Sequence, residues 1–145
     1  MSRKGFTLVE LMVVILIVAI LAAVAIPIMR GRIDAAKWSE GKAMMGTIAT
    51  ALRAYCAGWD GPPDGSQPTL VLTELNGKFE HLGILDGDLD GTYFGFGDFS
   101  ILSGSYDVPT NVLSFEIEAQ KGTGINKPES YTLDEKGVWI ASEGL

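Results

Sequence analysis

From Phe6 to Ile28 the chain is apolar at almost every position, interrupted only by Thr7, Glu10 and Pro27. A helix that is hydrophobic all round needs lipid or a protein interior on every side. The pattern then changes. Met45, Ile48, Leu52, Tyr55 and Trp59 recur at steps of three and four, which places them on one face of a helix. Lys37, Glu40, Lys42 and Arg53 are expected on the opposite side, toward water or neighbouring chains. Together the two patterns predict one long helix from Phe6 to about Ala57, ended by Gly58. Pro27 removes one backbone donor and crowds the carbonyl four residues earlier, so a kink or local loosening is expected there.

Beyond the helix, Asp60 to Pro68 is a dense cluster of Gly, Pro, Asp and Ser, which is turn-forming chemistry and not regular structure. Thr73 to Leu82 reads as a short helix, capped at Thr73 and ended at Gly83. Strands follow. Phe99 to Leu102 is a short one. From Val112 to Ala119, Leu113, Phe115, Ile117 and Ala119 alternate with Ser114, Glu116 and Glu118, the signature of a half-buried antiparallel strand. Tyr131 to Leu133 and Val138 to Ile140 flank Asp134-Glu-Lys-Gly137, a loop that reads as a hairpin. The expected fold is α+β: a long N-terminal helix, its amphipathic half packed against a C-terminal meander of three or four antiparallel strands.

Composition narrows the function. The chain has 145 residues and a formal charge of −7, and an acidic chain lacks the basic stripe that nucleic-acid binding requires. Cys56 is the single cysteine, so no disulfide can close within one chain, and its place among core-facing residues predicts a buried structural thiol. His81 is the single histidine. No nucleophile–base pair, His-rich metal spacing or Gly-rich phosphate loop stands out, so an enzyme is not expected.

The start of the chain carries the most specific signal. Arg3 and Lys4 precede Gly5, and Lys4-Gly-Phe-Thr-Leu-Val-Glu-Leu11 opens the apolar run. A lone carboxylate in hydrocarbon costs about 2.5–3.5 kcal/mol on insertion scales, so Glu10 calls for a partner and a purpose. Ala23-Val24-Ala25 would also satisfy the small-residue cleavage rule of an ordinary secretory signal, but the run from Leu11 to Ile28 is long for such a signal and Glu10 would be idle in it. As a plain anchor its 18 residues would rise about 27 Å, close to a hydrocarbon core of roughly 30 Å. Basic residues lie on both sides of it, Arg3 and Lys4 before and Arg30, Arg32 and Lys37 after, so charge alone does not fix its orientation.

The segment from Lys4 to Pro27 resembles the signal of type IV pilins and of the pseudopilins of type II secretion. That resemblance implies cleavage by a prepilin peptidase after Gly5 and methylation of the new N-terminus at Phe6. It also implies a role in assembly for Glu10, which in the family pairs with the terminal amine of a neighbouring subunit, and for Pro27. The implied organisation is a leader over 1–5, a transmembrane and filament-core helix over 6–28, an amphipathic helical half over 29–59 and a β-rich head over 60–145. The implied partners are copies of the chain itself in a helical filament, the peptidase, the pilus or type II secretion assembly machinery and the bacterial inner membrane. From that membrane the subunit would pass to a periplasmic pseudopilus or a cell-surface pilus.

One further motif stands apart. Asp86-Gly-Asp-Leu-Asp-Gly91 spells the opening of an EF-hand loop, in which alternate carboxylates on a turning backbone converge on calcium. The twelfth position, normally a bidentate Glu, is Gly97, and Asp98 is the next acid. Asp86, Asp88, Asp90 and Asp98 are therefore candidate Ca2+ ligands in an incomplete loop, and no cofactor is otherwise required. The same residues are also ordinary turn formers and solubilising charge. Two functions compete: a subunit that polymerises through its N-terminal helix, and a membrane-tethered or secreted calcium-binding module that does not.

Overall fold

The computed structural model describes residues 5–62, 69–85 and 87–144. Helix α1 runs from Leu8 to Ala57. Five strands follow, β1 Thr69–Val71, β2 Phe99–Asp107, β3 Val112–Gln120, β4 Ser130–Asp134 and β5 Trp139–Ser142. They form one antiparallel sheet in sequence order. The chain divides into two units, Met1–Ala35 and Ala36–Leu145.

In the first unit every large apolar side chain from Phe6 to Met29 is at least half exposed. Such a surface is stable only against lipid or other protein, and this helix is long and apolar enough to cross a membrane. The helix is unbroken through Pro27, so the loosening expected there does not interrupt it; losing one donor leaves the other rungs of the ladder in place.

In the second unit the helix closes on the sheet. Trp38, Met45, Ile48, Ala49, Leu52 and Cys56 are all buried, in one core with Phe99, Ile101, Phe115, Ile117, Ala119 and Leu133 from β2–β4. The predicted stripe is correct at Met45, Ile48 and Leu52, while Tyr55 and Trp59 are only partly buried at its end. Trp38 extends the stripe toward the N-terminus, its ring 4.9 Å from Phe94 and 4.8 Å from Tyr131. Gly41 lies on this face because the Phe94 ring leaves no room for more: a Cβ there would fall 2.6 Å from Phe94 Cζ.

The expected α+β architecture holds, with two local corrections. The segment read as one helix from Thr73 is two 3-10 turns, Leu72–Leu75 and Phe79–Leu82. Asn76 separates them because its amide is used elsewhere, donating to the Ile101 carbonyl at 2.7 Å and accepting the Ile101 N–H. Gly83 does end the second turn, in the left-handed conformation at φ 77°. The strand read as Phe99–Leu102 continues to Asp107, past a bulge between Ile101 and Ser103. Its second half pairs with both β1 and β3, so backbone ladders hold a stretch whose side chains gave no alternating signal. The β3 alternation is as predicted, with Phe115, Ile117 and Ala119 buried. The β4–β5 hairpin is also as predicted: Asp134 Oδ1 accepts from the N–H of Lys136 at 3.0 Å and of Val138 at 2.7 Å.

Candidate assembly site

At the N-terminal end of the described chain, Gly5, Phe6 and Thr7 precede the helix, and Phe6 is 87% exposed. Thr7 is the N-cap. Its hydroxyl accepts the Glu10 N–H at 3.2 Å, while Glu10 Oε2 accepts both the Thr7 N–H and the Thr7 hydroxyl at 2.8 Å. This is a capping box, which satisfies two backbone donors that a helix start otherwise leaves open. The T-x-x-E spacing announces it in the sequence, but the reading of Glu10 as an intramembrane charge passed over it. All of these bonds to the carboxylate fall on Oε2, so Oε1 has no partner among the described residues and is free for a donor from outside. The helix thus holds the carboxylate in place at the end of an apolar surface, presenting one oxygen.

Four charged residues expected on the solvent side of the helix turn toward the head instead. Glu40 Oε1 accepts from the N–H of Tyr93 at 2.8 Å and of Phe94 at 3.2 Å. Lys37 Nζ donates to the Gly124 carbonyl at 2.5 Å and lies 5.1 Å from the Tyr93 ring. Lys42 Nζ lies 3.9 Å over the Tyr131 ring and 5.4 Å from that of Trp139. Arg53 donates to the Glu135 carbonyl at 3.0 Å. The physical reason is reach: long side chains flanking an apolar stripe lay their stems along it and carry their charge to whatever the sheet and its loops offer.

The acidic loop has a different chemistry from the assembly end. Asp86 lies outside the described residues. Asp88 Oδ2 accepts the Leu85 N–H at 2.8 Å, Asp90 Oδ1 the Phe96 N–H at 3.1 Å and Asp98 Oδ2 the Gly95 N–H at 2.8 Å. Each carboxylate closes its own turn, and among the described residues no three acidic, His or Cys side chains converge on one point. Cys56 is buried, and burial pushes its thiol up to about 11, as suits an inert structural thiol. His81 sits at the surface, 4.0 Å from Glu80.

Residues 1–26 match the prokaryotic N-terminal methylation motif. The chain is 34% identical to a fimbrial protein of Moraxella nonliquefaciens, over 66% of this chain and 67% of that one. It is 33% identical to a type IV major fimbrial protein FimA of Dichelobacter nodosus, over 98% of this chain and 88% of the relative. This chain belongs to the type IV pilin family. As a pilin it is a structural subunit of a filament and not an enzyme, and the helix-on-sheet architecture agrees. A shorter match, 45% identity over 54 residues, links it to type II secretion system core protein G of Pseudomonas aeruginosa, covering 37% of this chain and 38% of the relative. No solved structure matches.

Proposed function

We propose that this pilin is a subunit of a surface type IV pilus. In this reading it is cut between Gly5 and Phe6 by a prepilin peptidase, methylated at Phe6, held in the inner membrane by its apolar helix and then moved into the filament. One observation carries the reading: the helix surface from Phe6 to Met29 is exposed all round, with a single carboxylate fixed at its start. Before assembly lipid covers that surface; afterwards the same surface of neighbouring subunits does. Glu10 then sets register, its open Oε1 meeting the amine of a neighbour's Phe6. In low dielectric that attraction is strong, and an unpaired carboxylate there is costly. A pilus is favoured over a secretion pseudopilus because the fimbrial relatives align over two thirds of this chain or more, the secretion relative over little more than a third.

Glu10→Gln tests the mechanism. The amide keeps the size and the Thr7 contacts but removes the charge, so membrane insertion and cleavage at Gly5 should continue while sheared surface filaments become scarce. Filaments at wild-type levels would show that Glu10 does not set register. Mass spectrometry of the mature chain tests the processing: an N-terminus at Ile26, after Ala23-Val24-Ala25, contradicts it.

A further inference from the structure

Just past the apolar surface, Arg30 and Arg32 stand exposed on α1 on either side of Gly31, where even an added Cβ would meet nothing. Neither guanidinium has a partner among the described residues. Asp34, one turn further on, is buried and has interactions of its own. The second unit is strongly negative. Apart from Glu10 and Asp34 all 18 acids lie in it, and apart from Arg3, Lys4, Arg30 and Arg32 so do all 11 bases, which gives it a net charge of −9. Most of those acids are occupied by turns or lysines. Glu116 and Glu118 are not: neither has a hydrogen-bond or ionic partner among the described residues. They sit two apart on β3, the middle strand, and so project from the same face of the sheet. Their cross-strand neighbours are short: Ser103 and Asp134 beside Glu116, Ser100 and Thr132 beside Glu118. That face is flat enough for a helix surface to approach.

We infer that Arg30 and Arg32 of one subunit dock onto the outer sheet face of a neighbouring subunit, with Glu116 and Glu118 as the receiving carboxylates. The inference rests on the filament reading above and names a contact within it. Charge complementarity chooses the occupant: two unpaired cations per copy, and a head of net charge −9 that would otherwise repel its neighbours. Runs that pack side by side with an axial stagger bring the segment just past one run beside another copy's head. Such pairs add steering and register more than raw affinity, which suits a contact repeated at every subunit.

The test is made on the full-length chain in the producing cell, scoring processing, membrane level and sheared filaments. Arg30→Glu with Arg32→Glu should leave the first two unchanged and reduce filaments about tenfold or more, because like charges are then juxtaposed along the fibre. Glu116→Lys with Glu118→Lys should do the same alone, and the four changes together should restore filaments to within a few fold of wild type. Absence of restoration overturns the pairing, as do wild-type filament levels in the arginine variant. A fall in membrane level would assign the two arginines to lipid phosphates instead, and also overturns it. If the four-fold variant does not fold, the neutral Arg30→Gln, Arg32→Gln pair decides: wild-type filaments should loosen in high salt, which screens exposed pairs, and the neutral variant should lose that extra sensitivity. Equal salt responses overturn the inference. Absence of filaments in the wild type would instead refute the pilus reading.

Discussion

Residues 8–29 and residues 38–56 of α1 meet the cost of apolar surface by different means. The first length leaves its large side chains at least half exposed and carries one charge, at its very start. The second buries a single stripe to a few per cent exposure and surrounds it with charged side chains that reach over onto the head. Apolar surface on all sides can be satisfied only from outside, by lipid or by copies. Apolar surface on one side is satisfied within the chain, and the head can then fold as its own unit. The lesson is that one uninterrupted helix supports two kinds of stability, one intermolecular and one intramolecular, and mutations should sort cleanly between them.

The largest expected separation is between two leucines. Leu52 is fully buried and Leu16 is 61% exposed. Leu52→Ala should destabilise the head by about 2–5 kcal/mol, the usual range for a core leucine, read from denaturant unfolding of the detergent-solubilised chain by near-UV circular dichroism. Leu16→Ala should leave that curve unmoved and act, if anywhere, on filament yield. Equal shifts in the unfolding curve would break the comparison.

Next come the charged residues of the second length. Glu40→Ala leaves the Tyr93 and Phe94 N–H groups without their acceptor and should cost about 1.5–3 kcal/mol, as for hydrogen bonds to a charged group. Glu40→Gln should recover part of that loss, since it retains an acceptor oxygen. An unchanged melting temperature in Glu40→Ala would return this residue to the solvent face. Lys42→Ala removes the cation stacked on Tyr131 and should cost only about 0.5–1 kcal/mol, measured in the same unfolding assay against Lys42→Arg, which keeps the charge over the ring.

The smallest expected effect sharpens the comparison from the side of the head. Asp88, Asp90 and Asp98 are each satisfied by a backbone N–H, so millimolar calcium should leave the melting temperature of the full chain where it was. A ligand that binds only the folded state at a hundred times its Kd would stabilise it by about 2.7 kcal/mol. A rise of several degrees would therefore restore the Asp86–Asp98 loop as a calcium site.

The sequence made some of this legible and not the rest, for identifiable reasons. The exposed run, the stripe at Met45, Ile48 and Leu52, the β3 alternation and the Asp134–Gly137 hairpin each follow from a period or a turn residue that acts locally. Trp38 escaped because it lies where the two halves of the helix meet and the apolar period is least regular. Ser103-Gly-Ser105 escaped because a strand held by ladders on both edges needs no alternating side chains. Lys37, Glu40, Lys42 and Arg53 were placed by helical angle alone, which says where a Cβ points but not how far a long side chain travels. At the assembly end, Glu10 was identified as the critical charge while its partner Thr7, three residues away, was passed over.

The burial of Cys56 gives the head a built-in clock. Its side chain is 1% exposed, and its thiol is held up to about 11 from an ordinary 9.0. Only a thiolate attacks an alkylating or disulfide reagent, so the closed head is protected twice, by access and by protonation. Above pH 9 the unfolded chain gives up this proton first, and that difference draws stability down as pH rises toward 11. At neutral pH labelling proceeds only while the helix stands away from the sheet. The rate at which a reagent consumes this one sulfur therefore counts openings of the head, subunit by subunit, and should slow when the same chains are locked into a fibre.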